Sequence, residues 1–171
     1  MSFARKIFIA SALLAATAAP ALAEGIEISN GWTRVTVRGA SVGVGYMTID
    51  NQSGAADTLA SASCDCAGRV EIHESVEKAG LMTMRALPKG VEIKAGKQLA
   101  LKPGGHHLML VGLKGPFVLG DTVHMTLHFA KAGDIGADLK VQPFGAQGLE
   151  APKPAAKPAG KPQKQDGGAQ E

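Results

Sequence analysis

Between residues 24 and 149 apolar and polar side chains alternate in short runs, broken by Gly, Pro and Asn. A period of two sends successive side chains to opposite faces of an extended chain, so these runs predict strands. They fall at Ile26–Ser29, Val35–Arg38, Gly43–Asp50, Thr58–Ala62, Arg69–Glu74, Leu81–Ala86, Gln98–Leu101, His106–Leu113, Thr122–Phe129 and Leu139–Val141. Turn-forming words separate them, among them Asn51-Gln52-Ser53-Gly54, Lys78-Ala79-Gly80, Pro88-Lys89-Gly90, Pro103-Gly104-Gly105 and Gly120-Asp121. Many short strands at this spacing predict an all-β fold, an antiparallel sandwich or barrel. No long segment carries helical periodicity, and no internal repeat is visible.

The alternation also sorts side chains by face. In His106–Leu113, Leu108 and Leu110 point one way and His107 and Met109 the other. In Arg69–Glu74, Val70 and Ile72 share a face, opposite Glu71 and His73. Met82 and Met84 share one face of their own strand. With the aliphatic faces turned to the core, His73, His107 and Met109 are expected on outer faces or at a rim. Exposed methionine calls for a reason, and a soft-metal site supplies one. Met47 and Met125 occupy apolar-face positions and read as core, while His106 reads as a polar rim residue facing away from His107. His124 and His128 share a strand face but stand roughly 13 Å apart at about 3.3 Å per residue, too far for one ion. They read as surface histidines.

Composition trims the picture at both ends. Arg5 and Lys6 precede an apolar run, Ile7 to Ala19, that is short for a bilayer span. Pro20 and the small residues Ala21-Leu22-Ala23 then form an export-peptidase site, so residues 1–23 are expected to leave as a signal peptide. No Cys follows that site, which argues against a lipid anchor, and no later stretch is apolar enough to insert in a membrane. Residues 150–171 repeat Lys, Pro, Ala, Gly and Gln without a large apolar side chain, the composition of a disordered tail. One domain remains, 24–149. It carries 12 basic and 12 acidic residues, so the formal charge of +3 belongs to the termini, and no nucleic-acid footprint is present. Cys64 and Cys66 are separated by one residue. A tight disulfide, a second soft-metal site, a redox contact with a partner and inert residues all remain open for them.

Imidazole nitrogen and thioether sulfur together suit Cu(I). Thioether does not ionise, and neutral imidazole titrates with an unperturbed pKa of about 6.5. Two His and two Met keep the ion at a charge of +1, which favours Cu(I) over Cu(II). They also omit the thiolate that would hold the ion too tightly for transfer. His107 and Met109 lie on one strand face with backbones roughly 6.5–7 Å apart, within reach of a common ion. His73 and Met84 sit in neighbouring strands joined by a short turn.

The run from His73 to Met109 resembles the PCu(A)C copper-chaperone family, whose pattern is His, ten residues, Met, about twenty-one residues, then His-x-Met. Ten residues separate His73 from Met84, and twenty-two separate Met84 from His107. The words VEIHE, LMTMR, GVEIKAG and LKPGGHHLMLVGLKGP fit as well, as do Trp32, Arg34, GVGYMTIDNQS and Asp57-Thr58-Leu59 upstream. The resemblance covers Ile26 to Val141. It implies a cupredoxin-like, Greek-key β-sandwich that binds Cu(I) through His73, Met84, His107 and Met109. It further implies a carrier, not an enzyme, working in the periplasm. The implied acceptor is an apo copper protein, cytochrome oxidase subunit II or a Sco-type thiol protein. Three departures stand out. Ser75 occupies a position where many members have a further Met, the spacer is one residue long, and the tail lacks a His/Met run.

Other readings are weighed against this one. Met82 replaces Met84 if the strand slips slightly. A blue-copper electron carrier needs a Cys thiolate beside two His, and no such Cys precedes His107 nearby. A metal-free extracellular sandwich would bind no Cu(I). No Ser-His-Asp or paired-carboxylate arrangement argues for hydrolysis.

Overall fold

The computed structural model describes residues 25–78 and 80–149. The expected signal peptide, 1–23, and tail, 150–171, lie outside these residues. Ten strands form the described fold: β1 (Ile26–Arg34), β2 (Val42–Asn51), β3 (Asp57–Ser63), β4 (Ala67–Lys78), β5 (Leu81–Ala86), β6 (Val91–Ile93), β7 (Lys97–Leu101), β8 (His106–Leu113), β9 (Thr122–Phe129) and β10 (Gly133–Gln142). Hydrogen-bonded neighbours run β5-β4-β8-β7-β2-β1-β10-β9-β3-β6, with β2 also pairing β8. A further bridge, Ala62 to Val70, joins β3 to β4 and closes the ladder into a flattened barrel. The all-β expectation holds. Most pairings are antiparallel as expected, but β1 runs parallel to β10, and β7 meets β8 in parallel at Leu101 and His106.

β5, β8 and β9 have the predicted limits, and most other strands grow by a few residues. Val35–Arg38 is not a strand. β1 instead continues through Asn30-Gly31, which looked like a stop. A register shift between Ser29 and Trp32 absorbs those two residues, with Asn30 at φ 53°. A Cβ on Gly31 would collide with the carbonyl oxygen of Asp138, so only glycine lets β10 come alongside. The alternation after Arg34 then lies on a surface loop, where Val37 is exposed. β6 escaped notice because three residues carry too little pattern. β10 was predicted short because Gly133 and Gly136 interrupt it, yet Ala137, Leu139 and Val141 line its inner face.

Ile49, Leu59, Ile72, Leu108, Leu110, Leu127, Leu139 and Val141 fill the interior, with Met47 and Met125 among them as predicted. Burying each such side chain stabilises the fold by about 1.5–3 kcal/mol. Two buried polar residues tie loops to this core. Asn51 donates its amide to the carbonyls of Ala55 and Ile93, both at 2.9 Å. The Asp57 carboxylate accepts from the backbone N–H groups of Thr58, Lys131 and Ala132 at 2.7–2.9 Å. For the site, the decisive pairing is β4 with β8. It runs in continuous register from Arg69 opposite Val111 to Glu74 opposite His106. Ile72, Leu108 and Leu110 anchor it from the core side.

Candidate metal centre

Because Ile72 and Leu108 face inward, their neighbours His73 and His107 face outward together. They are direct cross-strand partners. Their ring centroids lie 5.8 Å apart, a spacing one ion can bridge with metal–imidazole bonds of about 2 Å. The outer face is not an open surface here. His107 is 5% exposed and the His73 side chain 13%.

Each ring has one nitrogen held and one left over. His107 Nδ1 lies 3.0 Å from the carbonyl oxygen of Gly105. A carbonyl only accepts, so Nδ1 carries the hydrogen and Nε2 of the neutral ring keeps its lone pair. His73 Nε2 lies 2.9 Å from Glu71 Oε2. The side-chain hydrogen bonds from Arg69, first, and His73 hold the Glu71 carboxyl below its ordinary pKa, although it is solvent-accessible. It is therefore an acceptor, which puts the His73 hydrogen on Nε2. His73 Nδ1 is buried and has no hydrogen-bond partner. A buried lone pair without a donor is costly unless something electrophilic meets it. Carboxylate–imidazole and carbonyl–imidazole bonds of this kind orient histidines toward metals.

The methionines take their places by register. Glu71 faces Met109 on β8, and Ser75 faces Met84 on β5. Since His73 faces His107 and Ala86, both methionines are diagonal neighbours of His73, within reach of long side chains at about 7–8 Å. His73 is thus next to all three other residues singled out in the sequence. Met109 is half-buried, whereas Met84 is 65% exposed on the edge strand, all of whose residues are exposed. Met82 faces Glu77, one full register step farther from the imidazoles, and is 54% exposed.

A wall that sequence reasoning missed stands on the other side. Val44 of β2 faces Met109, and Tyr46 follows on the same face. Tyr46 stacks on Trp32 at 4.4 Å between centroids, and the Arg34 guanidinium sits 5.5 and 5.6 Å from the two rings. Arg34 also donates to the carbonyl oxygen of Ala146, so the C-terminal segment covers this cluster. Burial raises the Tyr46 pKa, with Arg34 opposing it. The spaced Trp32, Arg34, Val44 and Tyr46 were the available signal. Glu71 was placed on the correct face but not recognised as the partner of His73.

The remaining polar candidates lie elsewhere. His106 faces away from His107 and reaches Glu74 at 3.6 Å. His124 and His128 stand on β9 opposite Asp138 and Asp134 and bond them through Nδ1 at 2.6 Å. Cys64 and Cys66 are joined in a disulfide. They lie seven residues or more from His73, roughly 23 Å along the chain at 3.3 Å per residue. No thiolate reaches the imidazole pair, which removes the geometry of a blue-copper centre. With Cys64 and Cys66 bridged, no cluster of three or more His, Cys, Asp or Glu among the described residues is placed to hold an ion. What this face has beyond two imidazoles is thioether.

Known proteins agree with this architecture. The family model described as "Putative lipoprotein LpqE-like" matches residues 26–141. The protein named "Putative lipoprotein Lxx21020" from Leifsonia xyli subsp. xyli is 31% identical over 122 residues, spanning 71% of this chain and 72% of its own. The copper-bound PCuAC domain of PmoF2 superposes with a TM-score of 0.59 at 24% identity, over 70% of this chain and 93% of that domain, which speaks to the fold alone. The solution structure of CuI-DR1885 from Deinococcus radiodurans matches with a TM-score of 0.54 at 27% identity, over 71% of this chain and 83% of that one. The sandwich is therefore cupredoxin-like, as these domains are. With more than half its length matched, the chain belongs to the LpqE-like family, the PCu(A)C family that its His73-to-Met109 motif resembles.

Proposed function

We propose that this protein is an exported copper chaperone that holds Cu(I) between His73, Met84, His107 and Met109 and surrenders it to an apo acceptor. One observation carries the reading. Two buried imidazoles face each other across β4 and β8, each with one nitrogen fixed and the other unengaged. The CuI-bound relative from Deinococcus radiodurans named above supports a copper cargo. The lipoprotein name of the Leifsonia relative supports a place outside the cytoplasm. The neutral ligand set selects the monovalent ion, and softness selects copper over zinc or iron.

The exposure gradient gives the transfer a direction. Met84 is the most accessible of the four, on an edge strand, while His107 is the most enclosed. Copper enters past Met84 and settles on the imidazoles and Met109. An acceptor displaces Met84 first, because a thioether is a weaker ligand than the thiolate that replaces it. Transfer then runs downhill to a Cys-containing site such as a Sco-type thiol protein or cytochrome oxidase subunit II. The chain acts as a carrier and performs no catalysis.

The test is competition for Cu(I) against a chromophoric chelator, under anaerobic conditions. The mature protein is expected to take one equivalent at the imidazole face. His107→Ala or Met109→Ala is expected to weaken it sharply while the circular dichroism spectrum stays unchanged. Wild-type affinity in both variants contradicts the assignment.

A further inference from the structure

The opposite end of β4 carries a second arrangement that the imidazole face does not use. The turn Ser63-Cys64-Asp65-Cys66 joins β3 to β4, and its two cysteines are disulfide-bonded. This bridge encloses a single residue. Its loop-closure contribution to the fold is correspondingly small. The turn is held without it, because Ala67 N–H donates to the Cys64 carbonyl and the Lys114 N–H to the Cys66 carbonyl. Opening the bridge would leave those backbone hydrogen bonds in place.

Its surroundings are those of a soft-metal site. Both sulfurs are half-buried and accessible from clefts on either side. Cys66 lines one of about 400 Å³ with Lys114, Asp121 and His124, and Cys64 lines an adjoining one of about 240 Å³, again with His124. The His124 side chain is 77% exposed, and its Nδ1 is held by Asp138 at 2.6 Å. The carboxylate accepts a hydrogen bond from Nδ1–H and leaves the Nε2 lone pair of the neutral ring free for a metal, the same device seen at His73. Cys64 Sγ lies 3.2 Å from the His124 carbonyl oxygen, a contact the reduced thiol turns into a hydrogen bond.

We propose that reduction of the Cys64–Cys66 disulfide opens a second Cu(I) site, formed by the two thiolates and His124 Nε2, independent of the imidazole face. The reductant is a protein dithiol. One of its thiolates attacks a sulfur of the bridge, forming a mixed disulfide and releasing the other cysteine. Its second thiol then displaces the first cysteine. Two electrons and two protons pass to Cys64 and Cys66, and the dithiol leaves as a disulfide. Cu(I) binding next displaces both protons. A bis-thiolate site holds Cu(I) more tightly than thioethers do, so reduction adds a high-affinity site and oxidation removes it.

The experiment counts Cu(I) on the full mature chain, anaerobically, before and after treatment with tris(2-carboxyethyl)phosphine and its removal by gel filtration. Thiols are titrated in parallel, and bicinchoninate buffers the metal. The oxidised protein is expected to bind one Cu(I), and the reduced protein, with two titratable thiols, two. Cys64→Ser/Cys66→Ser binds one under both conditions, and His124→Ala weakens only the second equivalent, by tenfold or more. Should the imidazole-face reading alone be wrong, the counts become zero oxidised and one reduced, and the present proposal stands. Equal copper uptake before and after reduction overturns it, as does a bridge that yields no thiols.

Discussion

His73 neighbours every other member of the proposed ligand set: it faces His107 and lies diagonal to Met84 and Met109. Replacing it by Ala is expected to cost more Cu(I) affinity than replacing either methionine, which competition titration measures directly. Glu71 acts through His73 by fixing its ring. Glu71→Gln keeps the shape but weakens that hold, so Cu(I) affinity should fall by about tenfold with the metal's sulfur count unchanged. Met84→Leu should weaken binding and slow capture, whereas Met82→Leu, a register step farther out, should leave affinity near wild type. The reverse order would move the site outward along the hairpin. The four residues of the proposed set stand out in the sequence, because alternation sorts them by strand face and their spacing matches a family pattern. What alternation could not convey was burial: His107 faces outward yet is 5% exposed. Val44 and Tyr46, on the strand beside β8, come from far away in sequence and reach this face only through the sheet order.

At the level of elements, β4 and β8 hold the imidazoles in place, and the start of β3 tied to the loop after β9 secures the rest of the barrel. Asp57 is the clearest anchor. Burial works against its charge, but the N–H groups of Ala132, Thr58 and Lys131, with the Lys131 cation, outweigh burial and hold its pKa below the ordinary value. Its contribution to stability is therefore complete above the unfolded-state pKa of about 3.9 and disappears as pH falls through the lower folded value. Asp57→Ala leaves those N–H groups without an acceptor and should destabilise the domain by about 2–3 kcal/mol at neutral pH. The gap should narrow in strong acid, as denaturant titrations at two pH values would record. A constant gap would mean that the carboxylate's charge is irrelevant. Gly31→Ala, which sets a methyl against the Asp138 carbonyl, should cost about 1–3 kcal/mol. Here the sequence was a poorer guide. Asn30-Gly31 carries the composition of a turn, and only the neighbouring β10 turns it into a bulge within one long strand. The Val35–Arg38 alternation failed for the same reason, since a period of two says nothing about whether a partner strand is present.

On the scale of the whole molecule, the two proposed sites lie apart along β4, the cysteine turn just before its first residue and the imidazoles at its middle. The imidazole face adjoins the exposed edge strand β5, the side from which the proposed acceptor would approach. The cysteine turn, by contrast, opens onto clefts shared with β9 and the loop after β8. This separation allows copper to be held on the outer face without disturbing the aliphatic core that pins the two strands. It also means that replacing the exposed Met84 should leave thermal stability of the metal-free protein nearly unchanged. X-ray absorption at the copper edge, on the mature oxidised protein loaded with one equivalent of Cu(I), tests the central claim most directly. The expected spectrum has the edge of a monovalent ion with two nitrogen and two sulfur neighbours, and loses one nitrogen in His107→Ala. A shell of nitrogen and oxygen alone, or one unaltered when His73 and His107 are both replaced, would contradict it.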